Sequence, residues 1–158
     1  MGAGAPQRYL VAMDGGARSL EALTLALRLA VKGRDHVSAV RVASGARGVA
    51  GETEAAPVEA AARAAAGDAL ESFTVVPLGE GTVAAALTAE AQMRGATALV
   101  VASNKEKGLG TTSSGCVKLA RCNVLVYTPQ NATAENSLEK PAQAAAAAAA
   151  EDAAAGVC

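Results

Sequence analysis

Two apolar segments, each running into a polar turn and then a helical pattern, constrain this chain most. The first is Tyr9-Leu10-Val11-Ala12-Met13, followed by Asp14-Gly15-Gly16. The second is Ala98-Leu99-Val100-Val101-Ala102, followed by Ser103-Asn104 and a loop holding Gly108 and Gly110. Short continuous apolar runs bounded by turn residues suit strands buried on both faces, as in parallel sheets covered by helices. In an open parallel sheet, ligands bind beyond the carboxyl ends of the strands, where strand order reverses. The pattern therefore offers a place to bind a nucleotide, without an obvious reaction to perform there.

Between and around these anchors the chain alternates. Residues 8–13 predict a strand, and a helix opens at Arg18 or Ser19 and runs to about Lys32, with Leu20, Leu23, Leu27 and Ala30 at helical spacing and Gly33 as its stop. His36 to Val42 predicts the second strand. Residues 43–51, rich in Gly, Ala and Ser, predict a loop. A second helix spans about Glu54 to Glu71, with Pro57 in its first turn and Val58, Ala62, Ala65 and Ala69 on one small-residue face. Phe73-Thr74-Val75-Val76 is the third strand. Thr82 caps a third helix through Arg94, which Gly95 terminates. Ala98 to Ala102 is the fourth strand, and a short helix from Thr111 or Thr112 to about Ala120 leads to Asn123-Val124-Leu125-Val126-Tyr127, the fifth. Strands alternating with helices through short connections imply a parallel α/β sheet with right-handed crossovers. Beyond Pro129 the pattern is lost. Residues 129–158 form a low-complexity tail with an alanine run at 144–150 and no amphipathic face, expected to be disordered alone and to dock on a partner.

Composition excludes several classes of function. The 158 residues are 51% hydrophobic and 18% charged, which places them in one globular domain. A net charge of −1, with no Trp, one Phe and two Tyr, leaves neither a basic footprint nor stacking rings for nucleic acid. Cys116, Cys122 and Cys158 form no Cys-x-x-Cys pair and His36 is the single histidine, so a zinc site is not expected and free thiols in a reducing, intracellular setting are. No apolar stretch is long enough to span a bilayer, and residues 1–8 do not read as a secretory leader. His36 lacks a nearby Ser or Cys partner, and Ser113 and Ser114 lack a Gly-x-Ser-x-Gly setting, so no catalytic residue is assigned. Glu52, Glu54, Glu59, Asp68 and Glu71 read as the solvated face of the second helix.

Over about residues 7–128 the chain resembles the universal stress protein family. The resemblance is carried by Val11-Ala12-Met13-Asp14-Gly15, by Val37 to Val42, by Val75-Val76-Pro77-Leu78-Gly79, and above all by Ala96 to Ser103 together with Cys122 to Val126. It implies a doubly wound sheet of five parallel strands in the order 3-2-1-4-5, with helices on both faces, and no strong catalysis. It further implies ATP or AMP between strands 1 and 4, Asp14 toward the sugar, Val42 against the adenine, and Ala102, Ser103, Gly108, Gly110 and Thr111 near the phosphates. In the ATP-binding branch, a Gly-x-x-Gly and a later Gly-Ser or Gly-Thr wrap the phosphates. Here Asn104 to Lys107 contains no glycine, leaving Lys105 and Lys107 as flexible charges instead. Counting back from Cys122 makes Gly110-Thr111 the final pair; counting forward from Ser103 makes it Gly115-Cys116. The shorter loop is preferred, because the other leaves the last helix little more than a turn. Two readings lead, ahead of a third by fold-level analogy alone, an enzyme of the broader nucleotide-binding α/β class. One is a cytoplasmic nucleotide-binding regulator. The other is a structural or adaptor subunit of a larger eukaryotic assembly, such as a ciliary axoneme, with an eroded site. Either would associate, as a homodimer or within a larger assembly, through the fifth strand and the tail.

Overall fold

The computed structural model describes residues 4–43, 49–103 and 108–128. Five strands alternate with four helices: β1 (Arg8–Ala12), α1 (Ala17–Leu29), β2 (His36–Ala43), α2 (Val49–Ala66), β3 (Leu70–Pro77), α3 (Val83–Met93), β4 (Ala98–Ala102), α4 (Thr111–Leu119) and β5 (Asn123–Tyr127). All pairings are parallel and the sheet order is β3-β2-β1-β4-β5, as expected. The order reverses at β1, whose neighbours are β2 on one side and β4 on the other.

Each face of the sheet has its own core, because strand side chains alternate. On one face Val11, Val37, Ala39 and Val100 pack under Ala22, Leu23 and Ala26 of α1 and Val58 and Ala62 of α2. On the other, Leu10, Val40, Leu99 and Val101 meet Ala84, Leu87 and Ala91 of α3 and Cys116 of α4. Over β2 and β3 that second face is apolar toward the strand ends, at Val40, Val42 and Val76, and polar toward their starts, at Ser38, Ser72 and Thr74. There Arg94, at the end of α3, reaches back over the strands to bond Glu90, Ser72 and Thr74. Glu90 is buried, and this guanidinium supplies its countercharge.

Four expected boundaries move. Helix α1 ends at Leu29, not near Lys32. The Asp35 carboxylate takes the Val31 N–H at 2.9 Å, and Ala30 is already extended, so Gly33, at φ +79°, serves the following turn rather than the helix stop. Helix α2 opens at Val49, inside the expected loop, which puts Pro57 within the helix rather than in its first turn. It ends at Ala66, because Gly67 takes a left-handed φ of +55° and a single 3-10 turn to Ala69 comes next. Ala65 and Ala69 are therefore exposed, and the buried face is Ala55, Val58 and Ala62. Glu71 lies in β3 at a register shift against Val37 and Ser38, and pairs with His36 at 3.2 Å instead of extending α2's acidic face. The tail at 129–158 lies outside the described residues, as does 104–107 with its two lysines.

Candidate functional site

The carboxyl end of β1 is built as a tight turn. Met13 N–H donates to the Val40 carbonyl at 2.8 Å, extending the pairing past Ala12. Asp14 Oδ1 then accepts the Gly16 N–H at 2.7 Å, folding the carboxylate onto its own turn. Gly15 sits at φ +89°, where a side chain would be strained. A Cβ there would also lie 3.1 Å from Val58 Cγ2 and 3.3 Å from Arg41 Nη1. Gly16 is the N-cap of α1, and Ser19 ties back to its carbonyl through both its N–H and its hydroxyl.

The end of β4 is held as firmly. Ser103 is buried, and its N–H donates to the Tyr127 carbonyl at 2.8 Å, extending the pairing with β5. Its own carbonyl accepts from Arg18 Nη1 at 3.2 Å. Its hydroxyl donates to the Gly108 carbonyl and accepts the Gly110 N–H, each at 3.3 Å. Ser103 thus staples the two ends of the loop together. Gly108, exposed at φ +80°, shapes the loop's outer turn. Gly110 is the N-cap of α4, whose first internal bond runs from Ser114 N–H to the Gly110 carbonyl. The N–H groups of Thr111, Thr112 and Ser113 precede that bond, at the positive end of the helix dipole, and no acidic residue occupies the first turn. Ser113 Oγ donates to the Ala102 carbonyl at 3.4 Å, fixing the helix end over β4.

Between these two constructions lies a cleft of about 490 Å³. Its floor is apolar, from Ala12, Val40, Val42 and Val101, and Val83 and Leu87 of α3 form one wall. Asp14 and Arg41 lie at the β1 and β2 side, and Gly110 through Ser113 at the β4 side. Of the residues expected from sequence, Asp14, Val42, Ala102, Gly110 and Thr111 line this one cleft. Ser103 and Gly108 do not line it and shape the loop from behind and outside. Gly115, the other candidate for the last phosphate glycine, lies inside α4, where a Cβ would come within 2.6 Å of Ala84 Cβ on α3. It is a helix-packing residue, whereas Gly110 is the N-cap of α4.

Sequence reading misses Ser19, Arg41, Val83, Leu87, Thr112 and Ser113 as site residues, and gives Ala12, Met13, Val40 and Val101 only as strand residues. Val83 and Leu87 have an i, i+4 spacing visible in the third helix. Arg41 is the charged residue in an otherwise apolar run, directly before Val42. Its Nη1 donates to the Asp14 carbonyl at 3.0 Å, while its Nε is buried with no hydrogen-bond partner among the described residues.

Elsewhere the chemistry is structural. His36 lies at the opposite end of the sheet. Cys116 is buried, and burial together with the neighbouring Cys122 pushes its thiol up to about 11, so it stays protonated near neutrality. Tyr127 donates to Glu21 Oε2 at 2.7 Å, and that bond raises the phenol above its ordinary value. Among the described residues, no group of three or more His, Cys, Asp or Glu side chains is placed to hold a metal ion, and no helix is long and apolar enough to cross a membrane.

A model of the universal stress protein family matches residues 6–128. No curated protein sequence matches the chain. Among solved structures, a universal stress protein in complex with cAMP is 23% identical, with 78% of this chain and 97% of that one covered at a TM-score of 0.57. The universal stress protein UspA from Lactobacillus plantarum is 21% identical over 78% of this chain and 99% of its own, with a TM-score of 0.62. A universal stress protein family protein from Arabidopsis thaliana with AMP bound is 18% identical over 78% and 92%, with a TM-score of 0.56. At these identities the likeness establishes the fold.

Proposed function

The chain belongs to the universal stress protein family, and from that premise we propose that it is a cytoplasmic regulatory protein that binds ATP or AMP without strong catalysis. One observation carries the reading: an apolar cleft at the reversal of strand order, flanked by the N-termini of α1 and α4 with no acidic residue in either first turn. An adenine fits the valine floor, with Val42 against it. The Asp14 side faces the ribose, and the amides of Thr111, Thr112 and Ser113 suit phosphate, since a helix N-terminus combines aligned donors with positive potential. The solved relatives with cAMP and with AMP bound support this choice of ligand class. Hydrolysis would be slow. Asp14 is the carboxylate lining the cleft among the described residues, and one of its oxygens is held by the Gly16 N–H.

Isothermal titration with ATP and AMP, with and without magnesium, tests the reading. Saturable binding is expected, weakened roughly tenfold or more in Asp14→Ala, because a charged hydrogen-bond partner of the ligand is removed. No heat from the folded protein overturns it.

A second reading, an adaptor subunit, is favoured by the exposed apolar side chains Leu109, Val117 and Leu119 around α4, beside the sheet's terminal strand β5. Under it, the edge of β5 and the tail would meet a second copy or a larger assembly. The comparisons add nothing toward a ciliary setting. Retained partner binding in a chain that takes no nucleotide would favour this reading.

A further inference from the structure

A side-chain bond joins the two loops that flank the cleft. Arg18, in the first turn of α1, donates from Nη1 to the Ser103 carbonyl at 3.2 Å, across 85 positions of chain. The dipole of α1 disfavours a cation in that first turn, so the contribution of Arg18 is to be sought outside its own helix. The residue is half-buried. Its charge is also felt at Tyr127, where the bond to Glu21 raises the phenol and Arg18 draws it part of the way back. The guanidinium therefore lies where the start of α1 meets the ends of β4 and β5.

Ser103 is the residue through which such a bond can act. Its N–H is held by the Tyr127 carbonyl at 2.8 Å, and its hydroxyl joins the Gly108 carbonyl to the Gly110 N–H. Arg18 takes hold of its carbonyl, and so of the planar peptide that leads out of β4 into the loop. Gly110, at the other end of that loop, is the N-cap of α4. The direction in which the Thr111, Thr112 and Ser113 amides point thus depends on how Ser103 is held. Arg18 does not line the cleft, although Ser19 beside it does. Donors fixed before an anion arrives bind it without a reorganisation cost, and donors that must be reordered bind it more weakly.

We infer that Arg18 is the positioning residue for the phosphate end of the cleft: through the Ser103 carbonyl it fixes the loop that presents the α4 N-terminus, and so sets how far the cleft favours a nucleotide over its nucleoside. The inference rests on the nucleotide reading and adds to it a residue that never touches the ligand. If Arg18 served stability alone, its loss would weaken nucleoside and nucleotide alike.

The test titrates the full chain with AMP and with adenosine. In the unaltered protein AMP is expected to bind at least about tenfold more tightly, the effect of the charge-assisted bonds to its phosphate. In Arg18→Met that advantage is expected to fall at least about threefold, with adenosine affinity kept within about twofold. Arg18→Lys, which retains a donor and the charge without the planar fork, is expected to recover part of the loss, and it carries the test if Arg18→Met does not fold. Amide hydrogen exchange of the free proteins gives a readout independent of ligand charge: Gly110 is expected to exchange faster in Arg18→Met, while Val100 in β4 keeps its protection. An AMP advantage unchanged in the variants overturns the inference, as does equal affinity for AMP and adenosine in the unaltered protein. A lost advantage with Gly110 exchange unchanged also overturns it, since charge at a distance would then be the cause. Binding of neither ligand to the unaltered protein overturns the nucleotide reading and this inference with it.

Discussion

Asp14, Ser103 and Asp35 show how far a single residue can be read before its surroundings are known. Asp14 is legible both as a turn former and as a ligand residue, and the two are compatible: one oxygen closes the turn onto Gly16 N–H while the residue lines the cleft. Ser103 is legible only as a member of the phosphate loop. Its bonds to Gly108 and Gly110 come from a chain reversal that no local pattern announces. Asp35 carries no sequence signal of its own, yet its carboxylate holds Arg34, the Val31 N–H and the Gln7 N–H, and so joins the end of α1 to the start of β1. The bond from Arg34, then those from Val31 and Gln7, hold this carboxyl well below the usual carboxylate range. A lowered folded-state value means that the contribution to stability is present above the ordinary range near 4 and is lost as pH falls below it. Asp35→Asn is therefore expected to lower the urea midpoint at pH 7, and the gap from the unaltered protein should narrow by pH 3. An equal gap at both pH values would show that the charge is not what stabilises this corner.

At the scale of elements, spacing determines that a helix exists, and contacts determine where it ends. The Thr82 cap of α3 is readable because the capping bond, from Ala85 N–H to Thr82 Oγ1 at 3.2 Å, is local. The start of α2 is not. Gly51 and Pro57 are both poor interior helix residues, and both fall within Val49–Ala66. Burial of Ala55, Val58 and Ala62 outweighs that local preference, with Val58 and Ala62 packed against α1 and the sheet. Helix α4 depends on its glycine for a different reason. At Gly115 a methyl group would meet Ala84 Cβ at 2.6 Å, so α3 and α4 must part to admit it. Gly115→Ala gains about 1 kcal/mol of helix propensity and loses about 1–3 kcal/mol to overpacking. We expect a net loss of stability in chemical denaturation, larger in Gly115→Val, together with weaker nucleotide binding as the α4 N-terminus shifts. A stabilised Gly115→Ala protein would contradict this close crossing.

For the whole molecule, two cores on a twisted parallel sheet leave the reversal of strand order as the natural ligand position, and both candidate loops emerge there. The family match ends at residue 128 and β5 at Tyr127, so the folded unit should not need residues 130–158. A chain ending at Pro129 is expected to unfold cooperatively with a melting temperature within about 3 °C of the full chain, a shift equivalent to well under 1 kcal/mol for a domain of this size. A drop of ten degrees or more would mean that the tail is part of the domain. Sequence alone determined the alternation of strands and helices and the apolar character of the strands, because these are written in spacing and turn chemistry. Tertiary structure decided which loop residue faces the cleft and which staples it, that Gly115 serves packing, and that Arg41 bonds the Asp14 carbonyl. Those depend on groups far apart in the chain being brought within a few ångströms, and no period or motif encodes such distances.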